Sequence, residues 1–451
     1  MSASSLMIPY WLGIALRIYF SSSSASTGLA SPDAFNPAQR VEIATPLNAY
    51  HRLTEGVALF NQGLDPYSGV LCHEPPLFLK LGQWVQGRRA WAKKIPAFFI
   101  MFDLLTAALV GLLARLVVQR LLQRQNEESD SYHKDAAELL LEQTALDSVD
   151  FTAQLSYLFN PFLILSSAGQ TTTVFDNFFL ALFLVAMLKK NRIGACLFLA
   201  LAVYKSFYPI MLLVPLMVMF MEGSKKSWRQ ELTTNVLPTL VIFCGFLVGL
   251  LWMSYMIMGR NPSFLWATYG FILSVPELTP NMGLFWYFFT EMFEHFRVFF
   301  VCTFQINAFI YVIPLAIKLR HDPFLLAFTL IGLTAIFKSY PSYGDVGFYL
   351  ALLPILSHLF PYTKQLFVVA VMLTVTTVLG PILYHLWIYN GSANANYFFA
   401  INLVFGTAQI FLLTDLLFAY LKREFYLING YKILNQVNES TQKPHARIVL
   451  T

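Results

Sequence analysis

The chain has 451 residues, 57% of them hydrophobic and 12% charged, where an ordinary soluble domain carries about 25% charged residues. Its net charge of +5 sits in short Lys/Arg clusters between apolar runs rather than in a basic stripe, which excludes a nucleic-acid partner. Four cysteines without a CxxC and eight scattered histidines exclude a disulfide framework and give no reason to expect a metal or another cofactor.

The first apolar run is Leu6 to Phe20. Small residues from Ser26 to Ala30 fit a signal-peptide cleavage site, but no Lys or Arg precedes the run and Arg17 interrupts it, so an uncleaved first helix is expected. Residues 25–94 are mixed in polarity and read as a long loop with interfacial helices. Ala49 to Phe60 has amphipathic spacing, and Asp65-Pro66-Tyr67-Ser68-Gly69 is a turn by composition. A helix from about Ile95 to Val118 leads into a polar loop, 120–150, whose Glu, Asp and Gln content predicts mobility. The later apolar runs are Leu155–Ala168, Val174–Leu188, Ile193–Tyr204, Tyr208–Met221, Val236–Met258, Phe296–Ile317, Phe324–Phe337, Val346–Phe360, Leu366–Trp387 and Tyr397–Leu421. With the first two they predict an all-α polytopic membrane protein of about twelve transmembrane helices. Residues 1–451 read as a single integral-membrane domain, in which Ile193–Tyr204 and Tyr208–Met221 could be halves of a broken pair.

Alternating the spans from a cytosolic N-terminus places Arg120/Arg124/Lys134, Lys189/Lys190/Arg192, Lys225/Lys226/Arg229, Lys318/Arg320, Lys364 and Lys422/Arg423 in the cytosol. Both termini, the 120–150 loop and the 430–451 tail are then cytosolic, and the 25–94 loop is luminal. Four polar or aromatic patches fall on the luminal side: 65–76, with Tyr67, His73 and Glu74; 269–295, with Phe285 and Trp286; 337–345, with Lys338, Ser339, Tyr340 and Asp345; and 385–397, with Ser392, Asn394 and Asn396. Ionisable residues near membrane depth are expensive and usually face a cavity or a partner. An Asn amide offers two donors and an acceptor without charge, which suits a lipid head group, although Asn394 and Asn396 could equally cap the last helix. Lys205 could meet a lipid phosphate or snorkel to the interface.

There is no HExxH, GxSxG or P-loop. A membrane glycosyltransferase using a dolichol-linked sugar is the enzymatic alternative. It needs a positioned carboxylate early in the first loop, and Asp33 and Glu42 are isolated there. A transporter is the other alternative, but no internal repeat is visible.

The strings Tyr269-Gly270-Phe271-Ile272-Leu273-Ser274-Val275-Pro276-Glu277-Leu278-Thr279-Pro280-Asn281, Gly283-Leu284-Phe285-Trp286-Tyr287-Phe288-Phe289, Ile336-Phe337-Lys338-Ser339-Tyr340-Pro341 and His385-Leu386-Trp387-Ile388-Tyr389 closely resemble the PIG-U family, as do Pro66-Tyr67-Ser68-Gly69 and His73-Glu74. The resemblance covers about Leu47 to Leu427. It implies a non-catalytic subunit of the GPI transamidase of the endoplasmic reticulum membrane, helping to bind and present the GPI lipid. It also implies partners of the PIG-K, PIG-T, PIG-S and GPI-anchor attachment types, and a fold similar to the membrane glycosyltransferase (GT-C-like) plan. On that footing Lys338, Ser339, Tyr340, Asp345, Ser392, Asn394 and Asn396 are expected to line a lateral groove for GPI. Tyr67, His73, Glu74, Phe285 and Trp286 are expected to contact lipid or partner subunits.

Overall fold

A computed structural model describes residues 3–25, 36–87, 94–146, 148–223 and 227–430. Asp33, the small residues 26–30, Lys225, Lys226 and the tail beyond residue 430 lie outside the described residues.

The described residues form helices and no strands. Helix α1 (Ala3–Ala25) is followed by the short α2 (Tyr50–Asn61) and α3 (Pro76–Gln86), within the segment read as interfacial. Next come α4 (Ile95–Glu127), α5 (Val149–Leu158), α6 (Pro161–Ala168), α7 (Thr173–Leu188), α8 (Arg192–Ser206) and α9 (Tyr208–Met221). The second half holds α10 (Arg229–Ile257), α11 (Ser263–Ser274), α12 (Phe285–Glu291), α13 (Glu294–Lys318), α14 (Pro323–Phe337), α15 (Tyr343–Ala351), α16 (Leu366–Ile388) and α17 (Ala395–Asn429).

Among the described residues, five helices are long and apolar enough to cross a membrane: α4, α10, α13, α16 and α17. A sixth is reached if α15 and the following turn Leu353–Tyr362, bent by 65°, form one span. The expected twelve runs are all helical, but several are broken by local chemistry. Leu155–Ala168 divides into α5 and α6 at Asn160-Pro161. Pro161 has no N–H to continue α5, and the Asn160 side chain accepts from Phe162 N at 3.0 Å to start α6. The chain parts again between α8 and α9 at Phe207, whose φ of +23° lies outside the helical region.

The described residues of the 120–150 segment, expected to be mobile, include helical turns and long-range contacts. Helix α4 runs on past Val118 to Glu127, and the segment beyond it is tied to the end of α17. Arg124 pairs with Glu424 at 2.9 Å, His133 N donates to Leu427 O at 2.9 Å, and Gln125 bonds the backbone of Leu141 from both ends of its amide. Polar side chains that composition alone assigns to solvent here hold one helix end against another.

The main core gathers α4, α5, α7, α8, α9, α14, α15 and α17 around residues such as Val110, Tyr157, Leu199, Phe328 and Leu416. Helix α14 is buried almost all round at its first half, as befits a helix apolar on every face. Small residues allow the closest approaches: a Cβ on Gly347 would meet Phe162 and Leu163 of α6 at about 3.0 Å. By contrast, α10 and α16 expose Val241, Val248, Trp252, Phe367 and Val378. Apolar surface on this scale marks a face turned to lipid or to another membrane protein.

Arg17, the charge inside the first apolar run, is what attaches α1. Its Nε meets Asp103 Oδ2 at 2.5 Å, with side chains 0% and 1% exposed. Nη1 donates to Leu158 O at 2.9 Å and to Gly13 O at 3.1 Å, and Tyr157 Oη donates to the other Asp103 oxygen at 2.7 Å.

Candidate functional site

Three of the four polar patches converge on one buried knot. Its centre is Lys205, at the end of α8. Lys205 Nζ lies 3.0 Å from Asp176 Oδ2, 3.4 Å from Glu74 Oε1 and 3.0 Å from Thr172 Oγ1. Thr172 Oγ1 in turn donates to Glu74. Lys338 and Asp345 form a second pair at 2.6 Å. Glu74, Asp176, Lys205, Lys338 and Tyr340 line one recess of about 20 Å³, room for roughly one water. Two carboxylate oxygens, Glu74 Oε2 and Asp176 Oδ1, are buried without a partner among the described residues.

Local sequence explains how these groups are held. Pro75 and Pro76 open α3, which turns the chain immediately after Glu74. Tyr67 Oη donates to Glu74 O at 2.7 Å and closes the preceding turn. The His73 ring stacks on Phe271 at 3.5 Å, with Nδ1 2.9 Å from Ala267 O and Nε2 3.1 Å from Val70 O. Burial pushes the His73 pKa down, while the two carbonyls pull it up less strongly. Asp345 is the N3 residue of a capping box on α15, its carboxylate accepting from Ser342 N at 2.9 Å.

Lys338, Ser339, Tyr340 and Asp345, expected to line a lipid groove, are thus turned into the protein. Ser339 is buried, donating to Ile272 O at 2.7 Å and lying 2.7 Å from Tyr208 Oη. Tyr340 Oη donates to Glu277 O at 2.8 Å. Lys205, which could meet a lipid phosphate or snorkel on sequence grounds, is buried between two carboxylates. Asp176 was not singled out in the sequence; the available signal was an acid inside the apolar run Val174–Leu188.

Glu277 anchors the rim of this region through a two-pronged contact with Arg52, at 2.6 and 2.8 Å. Burial alone would raise its pKa, but hydrogen bonds from Arg52 and Thr279 together with the Arg52 charge hold the carboxyl below its usual value. A depressed carboxyl contributes stability that is present above the unfolded value, near 4.3, and is lost as pH falls through the folded value. Wild-type protein is therefore expected to melt above Glu277→Gln at neutral pH, and the gap to close below about pH 4. Melting curves of the two proteins in detergent from pH 7 to pH 3 check this.

The second cluster is an aromatic shelf built by α12 and the α16–α17 turn. Trp286 stacks on Trp387 at 5.8 Å, and Tyr287 stacks on Phe399 at 4.2 Å. Asn394 caps α17, accepting from Asn396 N at 3.1 Å. Asn396 Oδ1 accepts from Tyr287 Oη. Ser392, Asn394 and Asn396 are all exposed, so the capping role leaves both Asn amide nitrogens open on the surface. Buried beside them, Trp286 Nε1 has no partner among the described residues. The opposite face of α12 leads to an apolar groove of about 420 Å³, lined by Phe285, Thr303, Phe304, Asn307, Ile310 and Phe337. Phe285 joins the two regions, since it also packs in the core that holds Tyr340.

The knot offers no free nucleophile, and its lysine already occupies the carboxylates. Among the described residues no three His, Cys, Asp or Glu side chains converge as a metal site would require. Glu42, the remaining first-loop acid, is 1% exposed; burial raises its pKa, and Oε1 has no partner among the described residues. The shelf presents exposed Asn side chains, and the apolar groove opens on the other side of α12.

Comparison with known proteins bears on what such a surface serves. The family described as GPI transamidase subunit PIG-U matches residues 11–405. The human GPI-anchor transamidase component PIGU is 40% identical over 402 residues, covering 87% of this chain and 90% of that protein. The Saccharomyces cerevisiae GPI transamidase component GAB1 is 31% identical over 389 residues, covering 86% and 89%. The Schizosaccharomyces pombe homologue of GAB1 is 30% identical over 392 residues, covering 86% and 88%.

Proposed function

The chain belongs to the PIG-U family of GPI transamidase subunits, and from that premise we propose that it is the non-catalytic membrane subunit that holds a GPI lipid and presents it for attachment to protein. One observation carries the reading: the exposed Asn394 and Asn396 stand on the aromatic shelf of Trp286, Tyr287, Trp387 and Phe399. The acyl tails would lie in the groove along Phe285, Phe304 and Phe337. The inositol-phosphate region would meet Asn394, Asn396 and Ser392. Lys338, Ser339, Tyr340 and Asp345 act behind the shelf, fixing the loop that supports α12. Tyr67, His73 and Glu74 set the turn that feeds Glu74 into the knot. The luminal face bearing the shelf would meet a PIG-K-like catalytic subunit, with PIG-T, PIG-S and the attachment subunit as neighbours. About twelve spans and cytosolic termini in the endoplasmic reticulum membrane complete the arrangement.

Capping and lipid contact make different demands on Asn394. Asn394→Ser keeps an N-cap oxygen but loses the amide, whereas Asn394→Ala loses both, at about 1 kcal/mol of stability. If the amides hold GPI, Asn394→Ser combined with Asn396→Ser lowers GPI capture by about thirtyfold, at roughly 1 kcal/mol for each of the two lost hydrogen bonds, with little change in melting. Capture equal to wild type refutes the lipid contact. At the cellular level, depletion of the protein should remove GPI-anchored proteins from the surface while complete GPI accumulates. A truncated GPI intermediate would instead favour the glycosyltransferase reading and return attention to Glu42.

A further inference from the structure

A second groove lies away from the shelf, between α1 and α4, with a volume of about 740 Å³. The two helices run antiparallel. Arg17 meets Asp103 midway, and Tyr10 Oη bonds Gln154 at 3.2 Å, whose side chain in turn lies against Gly111. The ion pair ties together the two helices that flank the groove. Its walls are apolar, Ile14 and Ile18 facing Ile100 and Leu104. One end differs: Ser21, Ser22 and Lys94 gather there, and Lys94 is exposed with no ion-pair partner among the described residues.

We infer that this groove binds the acyl tails of a diacyl phospholipid from a single leaflet, with the lipid phosphate held at Lys94 and the hydroxyls of Ser21 and Ser22. Length supports lipid over a partner helix. From Lys94 to Ala108, where the groove ends, α4 rises about 21 Å at 1.5 Å per residue. One leaflet of hydrocarbon is about 15 Å deep, whereas a crossing helix needs a seam of about 30 Å. Beyond Ala108 the space is filled by Tyr10 and Gln154, so a full-length helix has no continuous seat. Composition agrees: close helix pairing favours small residues along the seam, and the middle of this channel is walled by Ile14, Ile18, Ile100, Met101, Leu104 and Leu105. Charge agrees as well, since a single cation at one end matches a phosphodiester at the head of two tails.

The test uses the full chain assembled in its complex, in lipid nanodiscs containing phosphatidylinositol with a diazirine in one tail. After irradiation, label is expected to concentrate at Ile100 and Leu104 relative to Val241 and Val248 on the open face of α10. Ala97→Trp, which fills the groove, should reduce that label and leave α10 unchanged. Lys94→Ala should lower retention of phosphatidylinositol through a detergent wash by about fivefold, from the attraction of one lysine for an anionic lipid. Melting curves of both variants confirm that they fold. Equal labelling of the two faces overturns the proposal, as does an unlabelled groove, which would mean that a partner subunit fills it. Wild-type retention by Lys94→Ala also overturns it, because the phosphate contact would be absent.

Discussion

Lys205→Met is expected to destabilise the protein by about 3–5 kcal/mol, the usual cost of stranding a buried charge. The lysine side chain is 4% exposed and is, among the described residues, the cation in direct ion-pair contact with both Glu74 and Asp176, whose side chains are 6% and 16% exposed. Without it, two carboxylates face one recess of about 20 Å³, each with an oxygen already lacking a partner. Thr172 supplies one hydrogen bond and cannot neutralise both charges. The readout is the folded fraction by size exclusion in detergent and the melting temperature, each compared with wild type. The companion variant decides the mechanism. Replacing all three charges, as Lys205→Met/Glu74→Gln/Asp176→Asn, should recover most of the lost stability, because no unpaired charge remains. If the triple variant is as unstable as the single one, lysine packing rather than charge balance holds the knot. Loss of the knot also loosens the turn before α3 and the loop that carries Lys338, so GPI capture should fall with folding, not before it.

The second large effect is at the α1 latch. Arg17→Leu or Asp103→Leu alone should cost about 3–5 kcal/mol, since each leaves its partner charged and enclosed. Arg17→Leu/Asp103→Leu together should lie much nearer wild type, as apolar replacement of a buried pair is often neutral. Tyr157 Oη would then lose its acceptor, which sets a residual penalty of about 1–3 kcal/mol. A double-mutant cycle on melting temperature measures the coupling. Additive losses would show that α1 is held by its apolar face and not by the pair. The same cycle bears on the α1–α4 groove, because the pair joins the two helices that flank it.

How much of this was legible beforehand differs from residue to residue. Asn394 was readable as both a cap and a head-group ligand, and the structure gives it the cap while leaving its amide nitrogen exposed. Pro161 lies inside the apolar run Leu155–Ala168, which breaks beside it, whereas the break at Phe207 falls between Ile193–Tyr204 and Tyr208–Met221, the two runs legible as halves of a broken pair. Lys338 and Asp345 flank a turn and are legible as candidate groove-lining groups, while their closing on each other at 2.6 Å is visible only in the structure. The 120–150 segment looked solvated because its partners, Glu424 and Leu427, are some 300 residues away.

The sequence by itself determined the solvent and the local breaks. Apolar runs of membrane length, basic clusters between them and prolines at their interruptions act over one or two helical turns, so each can be read where it stands. Only the tertiary structure decided the pairing of charges. Arg17 finds Asp103 across 86 positions, and Lys205 finds Glu74 and Asp176 on two other elements. A charge in a low-dielectric interior persists only beside its counter-charge, and which counter-charge it meets depends on how the helices pack.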